Sequence, residues 1–221
     1  MRSYVEAAAR HDNVVRTQRL LDRIVPDPRL HARFVNTLAR MEYVGVRKIL
    51  KSRRAERLDL DGIQHILDEA VHAMRLKKAA AALGKASGAS VRTFATGDTL
   101  AGDAGETYLQ ALDHRAEETL ADLPADLRSE ANYLLTSAAV EVRAQVFYPA
   151  YDQTLKACDA GFSVAAITKD EDRHLDEMTA GLEAVLPDWR TRFEPVVTAE
   201  EALYARFLGA IEQVLASAAH G

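Results

Sequence analysis

The chain has 221 residues, 48% of them hydrophobic and 28% charged, with a formal net charge of -5. That length suits one domain with a sizeable core, and the acidic balance leaves no electrostatic footprint for nucleic acid or a membrane surface. The one cysteine, Cys158, excludes an internal disulfide and any cysteine metal knuckle, so a reducing, cytoplasmic setting is expected.

The opening stretch MRSYVEAAARHDNVV has no apolar h-region and no small-residue cleavage site, so no signal peptide is expected. No run approaches the roughly 18 consecutive apolar residues of a membrane span. Ala, Leu, Glu and Arg dominate, and β-branched residues rarely alternate with polar ones, which predicts an all-α chain. A first helix is predicted over about residues 3–24, stopping before Pro26. Asp27-Pro28 opens a long helix to about residue 54, with Val35, Leu38, Ala39, Glu42, Gly45, Val46 and Ile49 on one stripe. The next covers about 59–83, with Ile63, Ile66, Leu67, Ala70, Met74 and Leu76 among its apolar positions. Glycines 84, 88, 97, 102 and 105 then mark an irregular stretch, in which 90–96 could be extended. Further helices are expected over about 106–122, 125–158 and 163–186, and Pro195 is expected to precede a last one over about 199–218.

One weak internal repeat stands out. Asp68-Glu69-Ala70-Val71-His72 and Asp170-Glu171-Asp172-Arg173-His174 both read Asp-Glu-x-x-His, each inside a predicted long helix. A Glu and a His three residues apart lie about 60° apart around a helix, so both can reach one metal. Each motif follows a lone inward-facing Glu: Glu42 lies 27 residues before Glu69, and Glu141 lies 30 before Glu171. Both intervals suit a helix hairpin that sets its lone Glu opposite its Glu-x-x-His. Two such hairpins face to face supply four carboxylates and two imidazoles. That set suits a pair of first-row metals, iron above all, though manganese or a mixed Mn/Fe pair accepts the same ligands. The roughly 40 residues between Leu83 and Ala125 can make the long crossover that joins the hairpins.

These motifs resemble the ferritin-like di-iron carboxylate superfamily over about residues 28–186. The paired pattern is similar to its oxygen-activating branch: ribonucleotide reductase small subunits, bacterial multicomponent monooxygenases, aldehyde-deformylating oxygenases and arylamine N-oxygenases. Asp170-Glu171-Asp172-Arg173-His174 matches the Asp-Glu-x-Arg-His form of the monooxygenases. The resemblance implies a single ferritin-like domain, with a four-helix bundle, a long crossover and flanking helices. It implies that Glu42, Glu69 and His72 serve one iron and Glu141, Glu171 and His174 the other, with Glu69 and Glu171 as bridges. Asp68 and Asp170, with Arg173 beside them, would be outer partners that orient the histidines.

Single Glu-x-x-His pairs are common on exposed helix faces. Two copies, each with a preceding Asp and an upstream Glu, are not, and burying four carboxylates without metal is costly. His65 lies one turn before Glu69 and could contact substrate, although a packed helix-face histidine is the commoner case. Gln145 and Tyr148, beyond Glu141 on the same helix, are pocket candidates against a background of ordinary core packing. Tyr43 points to another face, Cys158 and Trp189 read as structural, and the 113–117 charge run reads as solvated. His11, His31, His114 and His220 have no partners the sequence can name. The expected function is a di-iron oxidoreductase that activates dioxygen or peroxide to oxidise a small organic substrate, a monooxygenase among the options, fed by an external electron donor. The rivals are a rubrerythrin-like peroxidase or dimanganese catalase, and a non-catalytic iron-binding or storage protein. A homodimer is the generic expectation.

Overall fold

Local sequence rules account for most helix boundaries in the computed structural model, which describes residues 1–53 and 55–218; His220 lies outside them. Among the described residues there are eight α-helices and no strand. The predicted first helix is two: α1 (Arg2–Ala8) and α2 (Asp12–Ile24). His11 is extended, and its Nδ1 accepts from the Asn13 backbone N–H at 3.2 Å, capping α2. Asn13 is buried and donates to the Glu201 carbonyl at 2.9 Å and its carboxylate at 2.8 Å. That long-range anchor satisfies a buried amide, which a straight continuation of α1 would have to place elsewhere.

α3 (Pro28–Ser52) starts as expected, with Asp27 accepting from the Arg29 and Leu30 N–H groups at 2.9 and 3.0 Å. α4 (Leu60–Ser87) is capped by Asp59 and ends at Gly88, whose φ of 73° suits a residue without Cβ. The segment 90–96, expected to be extended, forms bends before a 3-10 turn at Thr96–Asp98. It has no neighbouring strand to pair with. Instead Asp98 gathers Ser90 Oγ at 2.7 Å and the Thr93 N–H at 2.8 Å, while Asn36 and Lys77 donate to the Thr93 carbonyl.

α5 (Ala104–Glu118), α6 (Ala125–Ala157) and α7 (Ala165–Val185) lie close to their expected spans. α8 (Trp189–Ala218) begins well before its expected start, and Pro195 lies inside it. A proline there forfeits one backbone bond. The register is kept because Trp189, Phe193 and Val196 bury on one face, with Phe193 edge-on to Tyr4 at 4.9 Å.

α3 packs along α4, and α6 along α7; α4 also meets α7, and α3 meets α6. These four helices surround one interior. α5 and α8 pack on each other, and α2 lies against α6 and α8. α8 is held through a buried ionic knot. Arg143 on α6 donates twice to Glu200, at 2.9 and 2.7 Å, and lies 2.7 Å from Glu201, with its guanidinium 4.3 Å above the Tyr204 ring. Tyr108 donates to Glu200 at 2.7 Å. Among the described residues, no helix is long and apolar enough to cross a membrane.

Candidate metal centre

The interior between α3, α4, α6 and α7 is polar at one level. Two overlapping groups of buried side chains meet there: His65, Glu69, Glu141 and His174, and Glu42, Glu69, His72 and Glu171. Within each group the potential ligand atoms lie within 4.8 Å of one another. The six residues singled out from the repeat all fall in these groups, one or two from each helix. His65 joins them as a seventh: its Nε2 lies 3.4 Å from Glu69 and 3.7 Å from Glu141, and its ring stacks on His174 at 4.0 Å. Helical spacing explains this, since His65 precedes Glu69 by one turn. Glu69 belongs to both groups. Glu171 spans them too, with one oxygen 2.8 Å from His174 Nδ1 and the other 3.4 Å from His72 Nδ1.

The electrostatics are those of a site short of positive charge. Burial, then the charges of Glu69 and Glu171, pushes Glu42 well above the usual carboxylate range. Burial and the charge of Glu171 do the same to Glu141, and Glu69 is pushed up to about 7. Burial also acts upward on Glu171, but its bond with His174 and the nearby charge of His72 carry it well below its usual value. Burial pulls His72 down, yet Glu171, Glu42 and Asp170 together raise it to about 10. His174 is raised in the same way, burial being outweighed by Glu171 and Glu69. His65, where burial and the neighbouring His174 act together, falls to about 3.

The outer contacts cross between hairpins. Asp170 on α7 faces His72 Nε2 of α4 at 3.0 Å, and Asp68 on α4 faces His174 Nε2 of α7 at 3.4 Å. With Nε2 so engaged, each ring presents Nδ1 inward. Arg173 bonds Asp68 and, at 2.6 Å, Glu177. On α3, Gly45 leaves room for a carboxylate: a Cβ there would lie 2.7 Å from Glu69 Oε2.

A cavity of about 580 Å³ opens beside the cluster. Glu42, His65, Glu69, Glu141 and Glu171 border it, whereas His72 and His174 do not. Leu38, Met41, Leu109, Val140, Phe147 and Phe207 give it a largely apolar wall. Tyr148 lines it and donates its hydroxyl proton to Glu42 Oε1. Gln145 is half-buried and does not line it; its Nε2 is buried with no hydrogen-bond partner among the described residues. Asp113, expected in a solvated run, lines the cavity and bonds Lys48 from α3. Sequence reading gave no hint of Lys48, Asp113 or the Arg143–Glu200 pair as a set, because nothing local links residues on different helices. Tyr43 is exposed and stacks on Phe94 at 5.7 Å, Cys158 is exposed at the end of α6, and Trp189 is core. His31 meets the Tyr151 hydroxyl at 2.7 Å, and His114 lies 3.5 Å from Glu118.

A cation pair fits this constellation. His72 Nδ1 is buried and makes no hydrogen bond among the described residues, so a ligand lone pair or proton points at the cluster without a partner. Four carboxylates converge there, and bound cations or protons must offset their charge for all four to be buried together. Oxygen and nitrogen donors without sulfur are the set that first-row divalent ions accept. No family model matches the chain, and comparisons with curated proteins and with solved structures find no match to it.

Proposed function

We propose that the chain is a di-iron oxidoreductase of ferritin-like architecture, with α3, α4, α6 and α7 as its four-helix bundle, that couples reduction of dioxygen to oxidation of a small organic molecule. The observation that carries this reading is the pair of ligand groups sharing Glu69 at the wall of an apolar cavity. Glu42, His72 and Glu171 would hold one ion and His65, Glu141 and His174 the other, with Glu69 between them and Glu171 touching both sides. Two bound iron ions supply Lewis acidity and the electrons that dioxygen needs, and an external donor restores them.

The chain's own part is to place groups and keep water out. Asp68 and Asp170 fix the histidine tautomers from outside the cluster. Tyr148 donates its hydroxyl to Glu42 Oε1, at the edge where the cavity meets the ligands. The apolar wall suits a substrate with a hydrocarbon or aromatic body, and Lys48 and Asp113 give it a polar end. The single exposed thiol, Cys158, suits a reducing compartment.

The test is metal analysis of protein from iron-supplemented cells, followed by oxygen uptake after reduction. About two irons per chain are expected, one for each group, with oxygen consumed on mixing and no uptake by His174→Ala. Manganese in place of iron would favour peroxide chemistry. Iron that is bound but inert to oxygen would favour storage, and absence of stoichiometric metal would sink the reading.

A further inference from the structure

α4 carries ligands on one side and an uncovered apolar stripe on the other. Leu60, Ile63, Leu67 and Met74 are 77%, 52%, 55% and 48% exposed, and Ala70 is exposed between them. Large side chains this open, gathered on one helix face, need a covering surface. Their spacing is specific. Leu60, Ile63, Leu67, Ala70 and Met74 alternate at intervals of three and four, which is the seam of a two-helix coiled coil. The stripe lies opposite His65, Glu69 and His72 around the helix, so covering it leaves the ligands untouched.

We propose that the stripe is covered by α4 of a second copy of this chain, running antiparallel about a two-fold axis near Leu67. Charge along the helix fixes the occupant and its direction. Asp59 and Asp61 stand at the amino-terminal end of the stripe, and Arg75, Lys78 and Lys85 at or beyond its other end; all five are exposed. Antiparallel packing about Leu67 sets acid against base at both ends, with Asp59 level with Arg75 of the other copy. Parallel packing would set like against like. A two-fold axis needs a self-complementary patch, and a seam with opposite charge at its ends is one. From Leu60 to Met74 the stripe runs about 21 Å at 1.5 Å per residue. A stable dimer buries roughly 800 Å² per partner, so the helices beside α4 would supply the rim of the interface.

Sedimentation velocity at micromolar concentration, with a reductant present because Cys158 is exposed, tests this. The wild-type chain is expected at twice 24.3 kDa. Leu67→Glu sets two carboxylates together at the axis and should give the monomer with unchanged helicity and metal content. Arg75→Asp sets acid against the acidic end of the other copy and should weaken the dimer. A wild-type monomer overturns the proposal and leaves the stripe to a different protein. A Leu67→Glu dimer, or an Arg75→Asp chain that dimerises as tightly as wild type, overturns it as well. Metal content is read separately, so failure here is distinct from failure of the di-iron reading.

Discussion

At Gly45 the absence of a side chain is what lets a carboxylate reach the centre. Gly45→Ala would drive a methyl group to 2.7 Å from Glu69 Oε2. Alanine favours a helix interior by about 0.5–1 kcal/mol over glycine. The expected outcome is therefore a split: unchanged or higher thermal stability of the metal-free protein, with a clear drop in bound metal by elemental analysis. His65→Gln should lower metal content while the group around Glu42 keeps its ion. A second residue sets a pH response away from the centre. Burial holds His31 down at about 4, below its ordinary 6.5, so the unfolded chain takes up the proton first as pH falls. His31 therefore costs no stability above pH 6.5 and progressively more between 6.5 and 4, up to roughly 3 kcal/mol. Denaturant titrations should show a shallower acid decline in His31→Gln, and parallel declines would discard the assignment. At this scale the sequence was half legible. The Glu-x-x-His repeats and their upstream glutamates are visible as spacing. His65 shows the right spacing too, but a histidine on a helix face is usually a packed residue, and only the Glu141 and His174 side chains, on α6 and α7, mark it out.

Among the elements, the two hairpins could be read from their intervals, because the arms and the turn add to a fixed length. What could not be read is which aspartate serves which histidine. That depends on the register of α4 against α7, and the structure crosses them. Asp170→Asn and Asp68→Asn should each weaken metal binding, by about 10- to 100-fold. The crossing predicts that the Asp170 change disturbs the His72 side and not its own motif, which can be followed by the histidine resonances of a diamagnetic metal complex. The break between α1 and α2 carries no Gly or Pro, so nothing local announces it; the Asn13–Glu201 anchor makes it. Pro195 misleads in the opposite direction, since the buried faces of Trp189 and Phe193 outweigh one missing backbone bond. α8 depends on its ionic knot. Glu200→Leu leaves Arg143 buried with only Glu201 in reach, and should cost about 3–5 kcal/mol in chemical denaturation.

For the whole molecule, composition and periodicity are enough to see an all-helical chain, because they are averages over many residues. The cavity is not, since its wall is gathered from α3, α5, α6 and α8. A metal pair that binds only the folded state stabilises it, by about 2.7 kcal/mol at a free concentration 100 times Kd. Chelation should accordingly lower the melting temperature while leaving the helical signal intact at 25 °C. The crossed aspartates have one more consequence, in the order of synthesis. When α3 and α4 have left the ribosome and α7 has not, His72 lacks the side chain that aims it, and neither Glu171 nor His174 exists. Such a half-made chain has no complete ligand set, so whatever metal the proposed centre takes up waits for the second hairpin.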